Sequence, residues 1–110
     1  MTLQTSDTPV LDLLFEMNAA SIEAAGLDPE RLFLVRLAAL IAVDAPAASY
    51  MLNLPAAAES GIDALRIRSI LAAVAPIVGG PRVASATVNI LRGLEIDLEL
   101  AELQQRSAAE

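Results

Sequence analysis

The chain has 110 residues, 55% of them hydrophobic, with 14 Asp and Glu against 7 basic residues, and it contains neither Cys nor His. That length makes one small domain, and the missing thiol and imidazole exclude thiolate nucleophiles, disulfides, His general bases and ordinary zinc or haem sites. The net charge is −7 and every basic residue is Arg, a balance unsuited to phosphate backbones, so no nucleic-acid partner is expected.

With no Trp, one Tyr and two Phe, the apolar mass is Ala, Leu, Ile and Val, which at this density favours close-packed helices over strands. The predicted fold is all-α, a compact bundle of five to six helices filling 1–110 as one domain, with 1–7 and 105–110 as flexible ends. The apolar fraction exceeds what one small core hides, so part of it is expected to meet another subunit. The longest apolar stretch, Leu32 to Val43, is interrupted by Arg36 and falls short of the roughly 20 residues a bilayer span needs, so no membrane association is expected. Residues 1–7 lack a basic signal-peptide region, which leaves a cytoplasmic location as the default.

Thr8-Pro9 reads as the cap and first residue of a helix that Gly26 stops. Asp12, Glu16 and Glu23 share one face of it; Val10, Leu11, Leu14, Met17 and Ile22 cover much of the other, with Asn18 and Ser21 oddly inside the apolar arc. Asp28-Pro29-Glu30 starts a second helix to about Asp44, apolar nearly all round and therefore central. Its exception is Arg36, for which a salt bridge to a carboxylate, within the chain or across a subunit interface, is the expected role and anchoring a ligand carboxylate the alternative. Pro46 opens a third helix to about Ser60, where Pro55 should kink it or break it at Leu54. Asp63 caps a fourth, closed by Pro76 and Gly79-Gly80-Pro81, and a fifth begins at about Arg82. Anion binding at this Gly-Gly-Pro-Arg run is a weaker reading than a tight interhelix turn, because the spacing is wrong for a phosphate loop and Pro81 removes a donor.

Leu94 to Leu100 alternates apolar and acidic as a half-buried strand does. Read as a helix, the segment carries two seams, Leu94, Leu98 and Ala101 against Ile96, Leu100 and Leu103. Leu, Glu, Ala and Gln favour helix and no partner strand is apparent, so a helix wedged between two neighbours is expected. The Asp12/Glu16 and Glu95/Glu99/Glu102 sets read as solvated helix faces rather than catalytic pairs.

On the third helix Ser49, Asn53, Ala56 and Ser60 form a stripe of small and polar residues, with Tyr50 beside it. A close helix–helix contact with locally bonded polar groups accounts for this stripe; the competing reading is a pocket in which Ser49, Tyr50 and Asn53, with Arg36, meet a small ligand.

The order of Arg36-Leu-Ala-Ala-Leu-Ile-Ala-Val, the Ser49–Gly61 helix ending Ala-Ala-Ala-Glu-Ser-Gly, and Ala75-Pro-Ile-Val-Gly-Gly-Pro81 resembles the carboxymuconolactone decarboxylase and alkylhydroperoxidase-D-like family. The likeness covers about Asp28 to Leu94 and implies an alkylhydroperoxidase-D-like fold assembling as a trimer or hexamer. Redox members carry Cys-x-x-Cys-x-x-x-His on the active-site helix and a Glu twelve residues before the first Cys. Counted back from Gly61, those positions fall at Pro46, Ser49, Asn53 and Leu34, none of which keeps the family residue. The decarboxylase branch's His, near Asn53, is also missing. The resemblance thus implies the fold without either known activity, and no cofactor or metal is expected. The expected function is an oligomeric protein binding a small, largely apolar molecule. The alternatives are an assembly module with no substrate, or a non-redox enzyme acting on a small lactone or carboxylate.

One outcome follows from composition alone. A coupled peroxide assay should give no thiol-dependent turnover above a buffer blank, and measurable turnover would contradict the reading.

Overall fold

The computed structural model describes residues 6–109, apart from the side chains of 96–98, 100, 101, 108 and 109. Among them it is all-helical, with five helices and no strand: α1 (Pro9–Ala25), α2 (Pro29–Ala42), α3 (Ala47–Glu59), α4 (Ala64–Val78) and α5 (Gly80–Ala109). The boundaries follow local chemistry. Asp28 and Asp63 each accept a hydrogen bond from the backbone N–H three residues on, Arg31 and Arg66, both at 2.9 Å. Gly79, at φ 88°, is the single residue joining α4 to α5, a left-handed position that suits only glycine and makes the expected tight turn.

The sequence leaves two points of continuity open, a kink or break at Pro55 and helix or strand over 94–103, where helix is expected. α3 runs through Pro55 instead of breaking at Leu54. The ring sits on an exposed side of the helix, where water can satisfy the carbonyl four residues back that loses its donor. The fifth helix and the alternating 94–103 segment form one helix of 30 residues, so helix propensity prevails over the period-two pattern. Residues 105–109, expected as part of a flexible end, continue that helix. The side chains of Ile96, Leu98, Leu100 and Ala101, which carry much of the two-seam expectation, lie outside the described residues, as do residues 1–5 and 110.

The core sits where α3 lies along the first half of α5, with α2 packed on both and α4 closing the side of α2 and α5. Its most enclosed large side chains are Tyr50, Leu37, Ile41 and Ile62, all 2% exposed or less. On α3 the buried residues are Tyr50, Leu54 and Ala57; on α5 they are Ala86, Ile90 and Gly93, both sets at i, i+4, i+7 spacing. A Cβ on Gly93 would stand 3.2 Å from the Ala47 carbonyl oxygen, the Met51 nitrogen and Tyr50 Cβ. Glycine here lets two helix backbones touch. α2 is central as expected, burying Leu32, Phe33, Leu37 and Ile41, and an ion pair between Glu30 and Arg66 ties it to α4.

α1 departs from this scheme. None of its residues is buried, and Val10, Leu13, Phe15 and Met17 are each more than 60% exposed. Past Gly93, no described side chain of α5 is buried either. These two arms stretch the molecule to 53 Å and its radius of gyration to 16.2 Å, against about 13 Å for a sphere-like chain of this length.

The Gly93 contact yields a stability prediction. Glycine to alanine in a helix ordinarily gains up to ~1 kcal/mol, but two of the three atoms in the way are helix backbone, which yields poorly. Gly93→Ala should fail to stabilise, and Gly93→Leu should lose about 2–3 kcal/mol by overpacking, read as a lowered urea midpoint. Unchanged midpoints would show that α3 and α5 separate freely.

Candidate functional site

The polar face of α3 and its neighbours hold the residues singled out from the sequence. Ser49 and Asn53 are half-buried one turn apart, and Asn53 Nδ2 donates to the Ser49 carbonyl at 2.7 Å. Ser60 Oγ donates in the same way to the Ala56 carbonyl at 2.8 Å. Each of these polar groups therefore gives a hydrogen bond back to its own helix, as locally bonded groups at a packing contact do. Leu34 is half-buried against the core, and Pro46 is the exposed residue preceding α3.

Among the described residues Arg36 pairs with no carboxylate. Its Nη1 donates to Asn18 Oδ1 and its Nη2 to Ser21 Oγ at 3.1 Å, both on α1, while its guanidinium lies 6.0 Å from the Phe33 ring centre. The expected salt bridge rested on deep burial; the side chain is only half-buried, so its charge needs no counter-ion. The pair of polar residues that looked misplaced in the apolar arc of α1 is what receives it. The hydrogen-bond partners of Arg36 are thus on α1, while those of Asn53 and Ser60 are on α3.

Tyr50 is fully enclosed, and its hydroxyl has no hydrogen-bond partner among the described residues. Burial, and secondarily the negative charge of Asp44, push its pKa up to about 12. Asp44 follows α2 in a left-handed conformation, φ 54°, and accepts a 2.6 Å hydrogen bond from Ser85 Oγ on α5. Next to it Arg82 Nη1 donates to the Ala42 carbonyl at 3.1 Å and satisfies the C-terminal end of α2. Arg82 thus serves the interhelix joint. Sequence reasoning missed the Asp44–Ser85 pair: the partners are 41 residues apart, and the one local signal was that Asp tolerates positive φ.

A second feature is made by α4 and α5. An open groove of about 260 Å³ runs between α4 and α5, lined by Ala64, Ile67, Leu71, Ile90, Leu91 and Leu94, with Thr87 and Arg68 as its polar members. None of Arg36, Ser49, Tyr50 or Asn53 reaches it. Among the described residues no group of three or more carboxylates is placed to hold a metal ion, and no helix is long and apolar enough to cross a membrane.

Tyr50 is the chain's sole tyrosine, so ultraviolet titration reports it alone. Its midpoint in the folded protein should lie well above 10, near 12, and should return to about 10 in urea. Between those two values the folded state holds a proton that the unfolded state has released. Stability is therefore undiminished below pH 10 and falls by roughly 3 kcal/mol as pH rises through 12. A folded-state midpoint near 10 would mean the hydroxyl is solvated.

The chain matches no protein-family model, no curated protein and no solved structure.

Proposed function

We propose that this chain is a non-redox protein of the carboxymuconolactone decarboxylase-like kind whose working form is a homo-oligomer, a trimer or hexamer, serving as an assembly module. The observation that carries the assembly is α1, a helix with a broad apolar arc and not one buried residue. A 17-residue helix in water is only marginally stable without packing, and seven large apolar side chains on it stand 41–69% exposed. Each Leu-sized side chain contributes roughly 1.5–3 kcal/mol when fully buried, so covering even a few outweighs the repulsion of a −7 chain, which salt screens beyond about 8–10 Å. The family part of the reading rests on the Arg36–Pro81 pattern and is in keeping with an all-helical fold. With Leu34, Pro46, Ser49 and Asn53 at the family's active positions, it assigns the chain neither peroxidase nor decarboxylase chemistry. The self-bonded Asn53 and Ser60 support a packing role for the α3 stripe.

One observation favours a second reading, in which the oligomer holds a small, largely apolar molecule beside α3. A buried, unpartnered hydroxyl costs about 1–3 kcal/mol, and Tyr50 bears that cost unless an acceptor reaches it.

Light scattering at low micromolar concentration should give a multiple of the chain mass. A single-chain mass, unchanged at tenfold higher concentration, would overturn the assembly. Native mass spectrometry of protein from cell extract tests the ligand. A co-purified small molecule lost in Tyr50→Phe supports the second reading. A bare oligomer that Tyr50→Phe stabilises by about 1 kcal/mol, by removing an orphan hydroxyl, supports assembly alone.

A further inference from the structure

The chain carries an apolar helix without a groove and an apolar groove without a helix. α1 buries nothing, and its most exposed large side chains, Val10, Leu13, Phe15 and Met17, flank the strip that faces Arg36. The groove between α4 and α5 is walled by Ile67, Leu71, Leu91 and Leu94, of which Leu91 is 56% and Leu94 39% exposed. We propose that α1 of one chain lies in the α4–α5 groove of a second copy, and that this is the contact which builds the oligomer. The inference rests on the assembly reading above and adds its geometry.

Three features of the two surfaces fit each other. In length, the groove lining runs from Ala64 to Leu71 on α4 and from Thr87 to Leu94 on α5, about 11 Å along each helix at the helical rise, which matches the two turns of α1 from Val10 to Met17. In charge, α1 carries Asp12, Glu16 and Glu23 and no basic residue, whereas the groove contributes Arg68 and no acid. An acidic edge beside an apolar arc meets an apolar floor with an arginine on its wall, and the rim pair sets orientation more than affinity. In mode, an amphipathic helix laid into an apolar groove through residues on successive turns is a recurrent recognition geometry, and Val10, Leu13 and Met17, beside the strip that faces Arg36, have i, i+3, i+7 spacing.

The contact joins two different patches, so every copy both gives a helix and receives one. Repeated around a rotation axis, it closes a ring; reciprocated about a two-fold, it is made twice between the same pair. Either way each chain has both surfaces covered, which one copy of the contact does not achieve.

The chain has no cysteine, so introduced thiols report this contact alone. Met17→Cys and Leu91→Cys chains, bearing different tags and co-expressed, should form a disulfide between the two tags on mild oxidation; both positions are more than half exposed, so neither change disturbs the core. In parallel, Leu13→Glu/Met17→Glu and, separately, Leu91→Glu should each shift the light-scattering mass to that of a single chain at a concentration where the parent is oligomeric, with helical content by circular dichroism retained. A parent oligomer that neither variant dissociates, and that yields no mixed-tag disulfide, overturns this contact and leaves the assembly reading standing. A parent that is itself a single chain overturns both. A disulfide forming only within one chain carrying both cysteines, at high dilution, also overturns the proposal, since α1 would then fold onto its own groove.

Discussion

The contact of α3 with α5 at Gly93 sets the rest of the molecule. The two backbones come close enough that a single methyl group would stand 3.2 Å from a carbonyl oxygen and an amide nitrogen, so the pair behaves as a rigid unit rather than as helices separated by side chains. Tyr50 is pressed beneath that crossing, and Leu54, Ala57, Ala86 and Ile90 extend the seam along both helices. α2 then covers the unit with Leu37 and Ile41, and α4 reaches it through Ile70 and the turn at Gly79. Small residues make this possible in a chain with so few aromatic rings to fill space: where bulky side chains are scarce, closeness of backbones replaces them as the source of packing density.

Which parts of this were legible follows from whether the signal was local. Helix starts at Asp28 and Asp63, and the turn at Gly79, were readable because a cap or a positive φ is a matter of a few adjacent residues. The apolar periodicity of α2 marked it as central for the same reason. Segment 94–103 was ambiguous because its alternation satisfies a strand and its composition a helix; continuity with the preceding turns decided the matter. Pro55 left a kink and a break equally open, and α3 shows no break there; a proline's damage depends on whether the orphaned carbonyl meets water, which is set by the side of the helix it occupies.

The candidate site was less legible than the fold. Periodicity placed Ser49 and Asn53 on one stripe, as found, but it says nothing about where a side chain spends its hydrogen bonds. Arg36 stands out in the sequence as a charge among apolar residues, but which groups of its own chain meet it, an amide and a hydroxyl of α1, depends on the tertiary arrangement. Asn18 and Ser21 were flagged on a different helix for a different reason. The two anomalies are one interaction, and nothing short of the tertiary arrangement links them.

That interaction has a property of its own. α1 meets the body of the protein through a guanidinium held by an amide and a hydroxyl. Neither acceptor carries an ionisable group. A carboxylate in place of Asn18 would make the joint fade in acid and weaken with added salt. As built, the joint pairs one charge with two neutral acceptors, so these two bonds offer acid no carboxylate to neutralise.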